Sequence, residues 1–175
     1  MILVLDTTTP SWSTFQEDSL KLVRSSLSLK RFSYKGVTKV VIIVKGLGDQ
    51  TLSSWSQGRE SLSAAELAVA KTLPVKIRDR AWLISDSAFF RSLPALAFSQ
   101  LLPDSRIRRL GRHGLIHADL LAQASRALGK PEMELNLISL YLDEESSVAA
   151  IKDGVVIEVS SSSPLEGLPG AHSSG

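Results

Sequence analysis

Four arginines, Arg106, Arg108, Arg109 and Arg112, crowd a short segment that runs on through Gly111, His113, Gly114 and His117. Guanidinium groups at this density either gather an anion or form a solvated charged face. A histidine standing by itself is most often structural, so the arginines alone leave His113 undecided. Two aspartates end apolar runs. Asp6 follows Ile2–Leu5 and precedes Thr7-Thr8-Thr9-Pro10; its carboxylate can face a ligand or bond the backbone two residues on as a turn former. Asp86 follows the run 80–85 and can serve a site or cap the segment after it. The triplet Asp143-Glu144-Glu145 has the oxygen ligands for Mg²⁺, yet consecutive acids in a hairpin turn read as exposed, and no metal site is assigned there. The chain has no cysteine, which excludes disulfides and thiolate metal sites.

These residues need elements to hold them. Residues 1–5 and 37–44 read as apolar strands, the second ended by Gly46, Gly48 and Asp49. Ser63-Ala64-Ala65-Glu66 is a capping-box pattern opening a helix that Pro74 stops. Residues 80–85 read as a strand, followed by an expected helix over 89–102, and 118–128 as an amphipathic helix ended by Gly129 and Pro131. Residues 19–34 fit a helix or a strand pair equally. The runs 135–142, 147–151 and 155–159 predict an antiparallel meander, the last alternating strictly, with Asp153-Gly154 as a two-residue hairpin turn.

Three stretches carry a resemblance. Ser146-Ser147-Val148-Ala149-Ala150-Ile151-Lys152-Asp153-Gly154, with Pro164-Leu165-Glu166-Gly167-Leu168 after it, is similar to the start of the second domain of acetate kinases and their propionate and butyrate relatives. Asp86-Ser87-Ala88-Phe89 matches that family's Asp-Thr-Ala-Phe. Residues 106–117 resemble its Ile-Arg-Arg-Tyr-Gly-Phe-His-Gly-Thr-Ser-His, with Gly111, His113, Gly114 and His117 in register. The resemblance implies an α/β fold of the ribonuclease H-like, actin-like kind: a mixed sheet flanked by helices, then a short three-strand antiparallel meander. It implies domains at 1–131 and 132–160, with 161–175 as a Ser/Pro/Gly-rich tail. It also implies that Asp86 lies near the reacting phosphoryl group, that His113 donates to that group, and that Asp6 orients a metal or its water. Residues 1–9 further resemble the opening of actin-like proteins of the tRNA threonylcarbamoyl-adenosine pathway.

Departures from the family pattern are as informative. Where the family reads His-Leu-Gly-Asn-Gly against nucleotide phosphate, this chain has Tyr141-Leu142-Asp143-Glu144-Glu145. The permissive glycines are gone, and each added carboxylate repels a phosphate by about 1 kcal/mol even in water. The resemblance places a cleft arginine at Ile42 or Ile43, with Lys45 offset from it, and a second at Ser173. Losing a preorganised charged stabiliser costs roughly 3–4 kcal/mol, so losing two slows phosphoryl transfer by several powers of ten.

Composition fits this picture. With 175 residues the chain can bury one sizeable core and a smaller appended piece, and a net charge of +2 gives no basic field that calls for nucleic acid. No apolar run approaches the roughly 20 residues of a membrane span, and Met1 leads directly into a strand without a signal-peptide pattern, so a cytoplasmic location is expected. The expected function is an acetate kinase-like assembly or ligand-binding module, not competent by itself to phosphorylate carboxylates and needing no cofactor. The alternative is a component of an ATP- and Mg²⁺-dependent short-chain carboxylate kinase completed by a partner chain. An unrelated role, anion binding at Arg108, Arg109 and Arg112 or association with a tRNA-modifying complex, is the third reading. Because a three-strand meander has open edges and an uncovered face, the 135–159 sheet is expected to be covered by another copy of the chain or by a partner.

Overall fold

The computed structural model describes residues 1–8, 10–26, 34–47, 52–93, 98–102, 105–108, 111–143 and 146–161. The chain divides into two compact units, Met1–Ala88 and Phe89–Gly175.

The first unit is built on a six-stranded mixed sheet of order β3-β2-β1-β4-β6-β5. Its strands are β1 (Ile2–Asp6), β2 (Ser11–Phe15), β3 (Leu22–Ser26), β4 (Lys39–Val44), β5 (Leu52–Ser54) and β6 (Ala81–Ser85). β1, β4 and β6 run parallel, with Asp6 beside Ile43 and Ile43 beside Ile84. Alternation explains the core: Leu3, Leu5, Val40, Ile42, Val44 and Leu83 all point to one face and pack with Trp55, Leu62, Ala70 and Leu73. The latter come from two short helices, α1 (Trp55–Gly58) and α2 (Ala64–Ala70), and the connections after them, with the partly buried Ile77 added by α3 (Val75–Arg78). The capping box of α2 forms as expected, Ser63 accepting from the Glu66 amide while Glu66 accepts from Ser63. Of the open 19–34 segment, Leu22–Ser26 is strand.

In the second unit, α4 (Gly114–Leu128) covers a meander of β9 (Leu137–Tyr141), β10 (Ser147–Lys152) and β11 (Val155–Ser161). The Asp153-Gly154 turn has φ of +51° and +72°, the left-handed pair a two-residue hairpin requires. A Cβ on Gly154 would sit 2.7 Å from the Glu132 carbonyl oxygen, so close approach demands glycine as well.

Two expectations fail here. Asp86–Ser92 forms a 3₁₀ segment, and β7 (Phe98–Leu102) pairs with β8 (Ser105–Arg108) as a hairpin where one helix over 89–102 was expected. Pro94 accounts for this: it disfavours helical geometry at Leu93 and brings no backbone N–H of its own. The strict alternation of 155–159 also breaks. Ala150 pairs with Glu158 but Ile151 with Val156, leaving Ile157 as the extra residue of a bulge that keeps both Val156 and Val159 buried.

Candidate functional site

The parallel strands β1, β4 and β6 deliver their carboxyl ends to one edge of the first sheet, the usual place for a ligand in such sheets. Asp6 ends β1 there, Lys45 and Gly46 follow β4, and Asp86 follows β6. Asp6 makes the bond of a turn former, one of the two roles open to it: its Oδ1 accepts from the Thr8 amide at 2.8 Å and the Thr8 hydroxyl at 2.6 Å. Thr7 is fixed in turn by donating from both N–H and Oγ1 to the Ile43 carbonyl. Ser87, next to Asp86, has its hydroxyl 2.8 Å from that of Ser85, which in turn reaches the Lys45 carbonyl.

An open cleft of about 710 Å³ lies at this edge, lined by Thr7, Thr8, Lys45, Gly46, Ser63 and Glu66 among others. Ile42 and Ile43 do not substitute for an arginine here. Ile42 is fully buried in the core and Ile43 is half-buried between Asp6 and Ile84. Lys45 instead contributes the cation to the lining. The sequence hints at this only through the abrupt end of an apolar strand in a lysine. Glu66 is a wall, not a base: burial works to raise its pKa, but hydrogen bonds from the Ser63 hydroxyl and the Lys45 and Ser63 amides outweigh that and hold it below the ordinary value.

His113 belongs to the second unit, at the N-terminal cap of α4, with φ at +61°. A non-glycine residue in this left-handed conformation is strained, and such strain gathers at functional sites. Its ring lies 4.6 Å from that of Tyr141, and its Nδ1 is 3.0 Å from Ser147 Oγ. Behind it His117 is fully buried, with Nδ1 2.7 Å from Ser139 Oγ and Nε2 2.9 Å from Ser147 Oγ. Burial first, and the neighbouring His113 second, lower the His117 pKa to about 4, so this imidazole is neutral at pH 7. Sequence register marked both histidines. The two serines went unmarked, because only the pairing of β9 with β10 brings them to the same buried face.

Of the glycines beside His113, Gly111 serves packing. A Cβ on Gly111 would fall 2.7 Å from a Phe90 ring carbon, and Gly114 is buried at the start of α4. Asp143, where the family pattern has glycine, accepts from the Tyr141 hydroxyl at 2.8 Å. That bond, ahead of burial, raises the Tyr141 pKa. Arg112 is exposed, Arg108 lies on β8, and Arg109, Glu144, Glu145 and Ser173 fall outside the described residues, as do Gly48, Asp49 and the tail from 162 on. Among the described residues no three histidines, aspartates or glutamates gather into a metal-binding group. Nor is any helix long and apolar enough to cross a membrane.

The family model of the acetokinase family matches residues 62–175. The acetate kinase of Serratia proteamaculans is 36% identical over 104 residues, which are 56% of this chain and 26% of that protein. The acetate kinase of Escherichia coli K12 is 32% identical over 143 residues, 77% of this chain and 35% of that protein. The chain thus matches about a quarter to a third of the length of these relatives. Among solved structures, Porphyromonas gingivalis acetate kinase superposes with a TM-score of 0.68 at 17% identity, covering 91% of this chain and 56% of that one. A Francisella tularensis propionate kinase gives 0.62 at 16% identity, with the same two coverages. These likenesses give the actin-like fold expected from the sequence, and with the family match over most of its length the chain belongs to the acetokinase family.

Proposed function

We propose that this chain is an acetate kinase-like ligand-binding module whose His113 faces an anionic, phosphoryl-type group, and that it does not by itself phosphorylate carboxylates. The observation carrying this reading is the burial of Ile42. Its side chain is sealed in the core at one of the two strand positions where the family resemblance implies a guanidinium, and the other, the half-buried Ile43, has no charge to offer. Without a cation held there, the charge of a transferring phosphoryl group loses a major stabiliser.

The residues present also fit ATP and Mg²⁺ poorly. The turn that the resemblance implies for nucleotide phosphate opens with the Asp143 carboxylate, fixed by Tyr141, in place of a glycine amide. No step through nucleotide or metal is therefore assigned.

One observation favours a second reading, a kinase component completed by a partner chain. Lys45 lines the cleft two residues beyond Ile43 and could supply the missing positive charge from the same strand end.

An acyl-phosphate trapping assay with ATP, Mg²⁺ and acetate, propionate or butyrate separates the two. The purified chain is expected to give no hydroxamate above background, and steady turnover overturns the first reading. Turnover that appears only with an added partner chain and vanishes in Lys45→Ala supports the second.

A further inference from the structure

We propose that the free edge of β9 is an association site for a second copy of the chain. The two β9 strands pair antiparallel about a twofold axis at Ser139, and two three-stranded meanders join into one sheet. β9 closes the order β11-β10-β9, and among the described residues its backbone pairs only with β10. α4 lies against the buried face of the strand, where His117 meets Ser139. Every second residue of an edge strand turns its N–H and C=O away from its one neighbour, and such a row is a template for another strand.

The other described edges are guarded, and β9 is not. β3 carries Arg24, and its pairing with β2 breaks register. β5 is only three residues long. β11 carries Glu158 and the bulge at Ile157. In the β7 and β8 hairpin, Arg106 and Arg108 stand on one strand and the register shifts between Ser99 and Leu102. Charges, bulges and shortness are the means by which sheet edges escape pairing. The five residues of β9, Leu137-Ile138-Ser139-Leu140-Tyr141, include no charge and no proline, and they keep a regular register with β10 from end to end.

The same residues select a second copy as the occupant. A twofold axis sets a strand against its own sequence, so a charge near the axis would meet its like. β9 brings no charge to that meeting. Centred on Ser139, the axis sets Ile138 opposite Leu140 of the second copy and Leu140 opposite its Ile138. These side chains are 75% and 51% exposed in the single chain, and pairing brings them side by side. It is also the register in which all five residues of both strands are paired. A slip of one residue would continue the outward face of one copy into the α4-covered face of the other, where the apolar pairs are lost.

The absence of cysteine from the chain lets single cysteines report this register. Ile138→Cys and Leu140→Cys chains, distinguished by mass, are mixed in equal amounts and mildly oxidised. Directly opposed residues of an antiparallel pair lie about 4.5–5.5 Å apart at Cα, within disulfide reach, whereas diagonal neighbours at about 7–8 Å are beyond it. The expected product is the mixed disulfide joining the two variants, in excess over what random pairing gives. A random mixture, or an excess of bridges between copies of one variant as parallel pairing would give, overturns the proposal. Hydrogen exchange of the unaltered chain, which needs neither variant to fold, tests the edge itself. Raising the protein concentration is expected to slow exchange at the β9 amides that face away from β10 and to leave β3 unchanged. Exchange in β9 that is independent of concentration overturns the proposal as well.

Discussion

The Glu66 carboxylate accepts the backbone N–H of Lys45 at 2.7 Å, tying the first turn of α2 to the end of β4. Its second oxygen takes the Ser63 amide and hydroxyl, so one nearly buried side chain serves three donors. Because the folded carboxyl loses its proton more readily than the unfolded one, its stabilisation is fully present at neutral pH and is lost as acid titrates the folded group. Glu66→Ala leaves those donors without their charged acceptor and is expected to cost about 2–3 kcal/mol. Urea melts at pH 7 and at pH 4 check it: the variant should lose most at pH 7, and an equal loss at both would remove the charge from the explanation.

Gly111 sits in the family-like segment, where a phosphate-facing glycine is an easy assumption. The structure gives it a packing role, since a Cβ there meets the edge of the Phe90 ring. Gly111→Ala is expected to destabilise the chain by about 1–3 kcal/mol through overpacking. Titration of the refolded variant with inorganic phosphate should leave the His113 response in place. A stable variant with that response abolished would return Gly111 to the ligand.

How much of this was legible beforehand depended on the distance over which each feature is decided. The capping box of Ser63 and Glu66, the Asp153-Gly154 turn and the meander are local, so neighbouring residues announce them. The hairpin of β7 and β8 was missed because its apolar residues suit helix and strand alike, and the break at Pro94 was passed over. The serine partners of His117 lie 22 and 30 residues away, and their meeting depends on the register of two strands, with Ala149 opposite Ser139. Burial of Ile42 was readable from the continuous apolar run 40–44, which marks a buried strand. That its neighbour Lys45 then lines a cleft was not, because a lysine ending a strand is usually only solvated.

The outward face of the meander supplies a further prediction. Ile138 is 75% exposed and Leu140 51%, and their cross-strand partners Ala150 and Val148 are also apolar. A contiguous apolar face of this kind favours association. We propose that a second copy of the chain covers it, so light scattering across a concentration series should show a dimer. Ile138→Lys should shift it to monomer without loss of secondary structure. A wild-type chain that stays monomeric throughout would refute the proposal.

The buried imidazole of His117 gives the fold a weakness in acid that starts well above the carboxylate range. In the unfolded chain a histidine takes its proton near pH 6.5, whereas in the folded chain His117 resists protonation down to about pH 4. Above 6.5 both states hold the imidazole neutral and stability is unaffected. Between those values the unfolded state alone gains a proton, so stability falls by up to about 1.4 kcal/mol per pH unit. Below about 4 both states are protonated and the loss from this residue levels off at roughly 3 kcal/mol. His117→Phe removes the group that titrates, and although it strands Ser139 and Ser147 and lowers stability overall, its stability curve should flatten between pH 6.5 and pH 5. Parallel urea melts of the two proteins over that interval test this, and parallel slopes would mean that the acid sensitivity resides elsewhere.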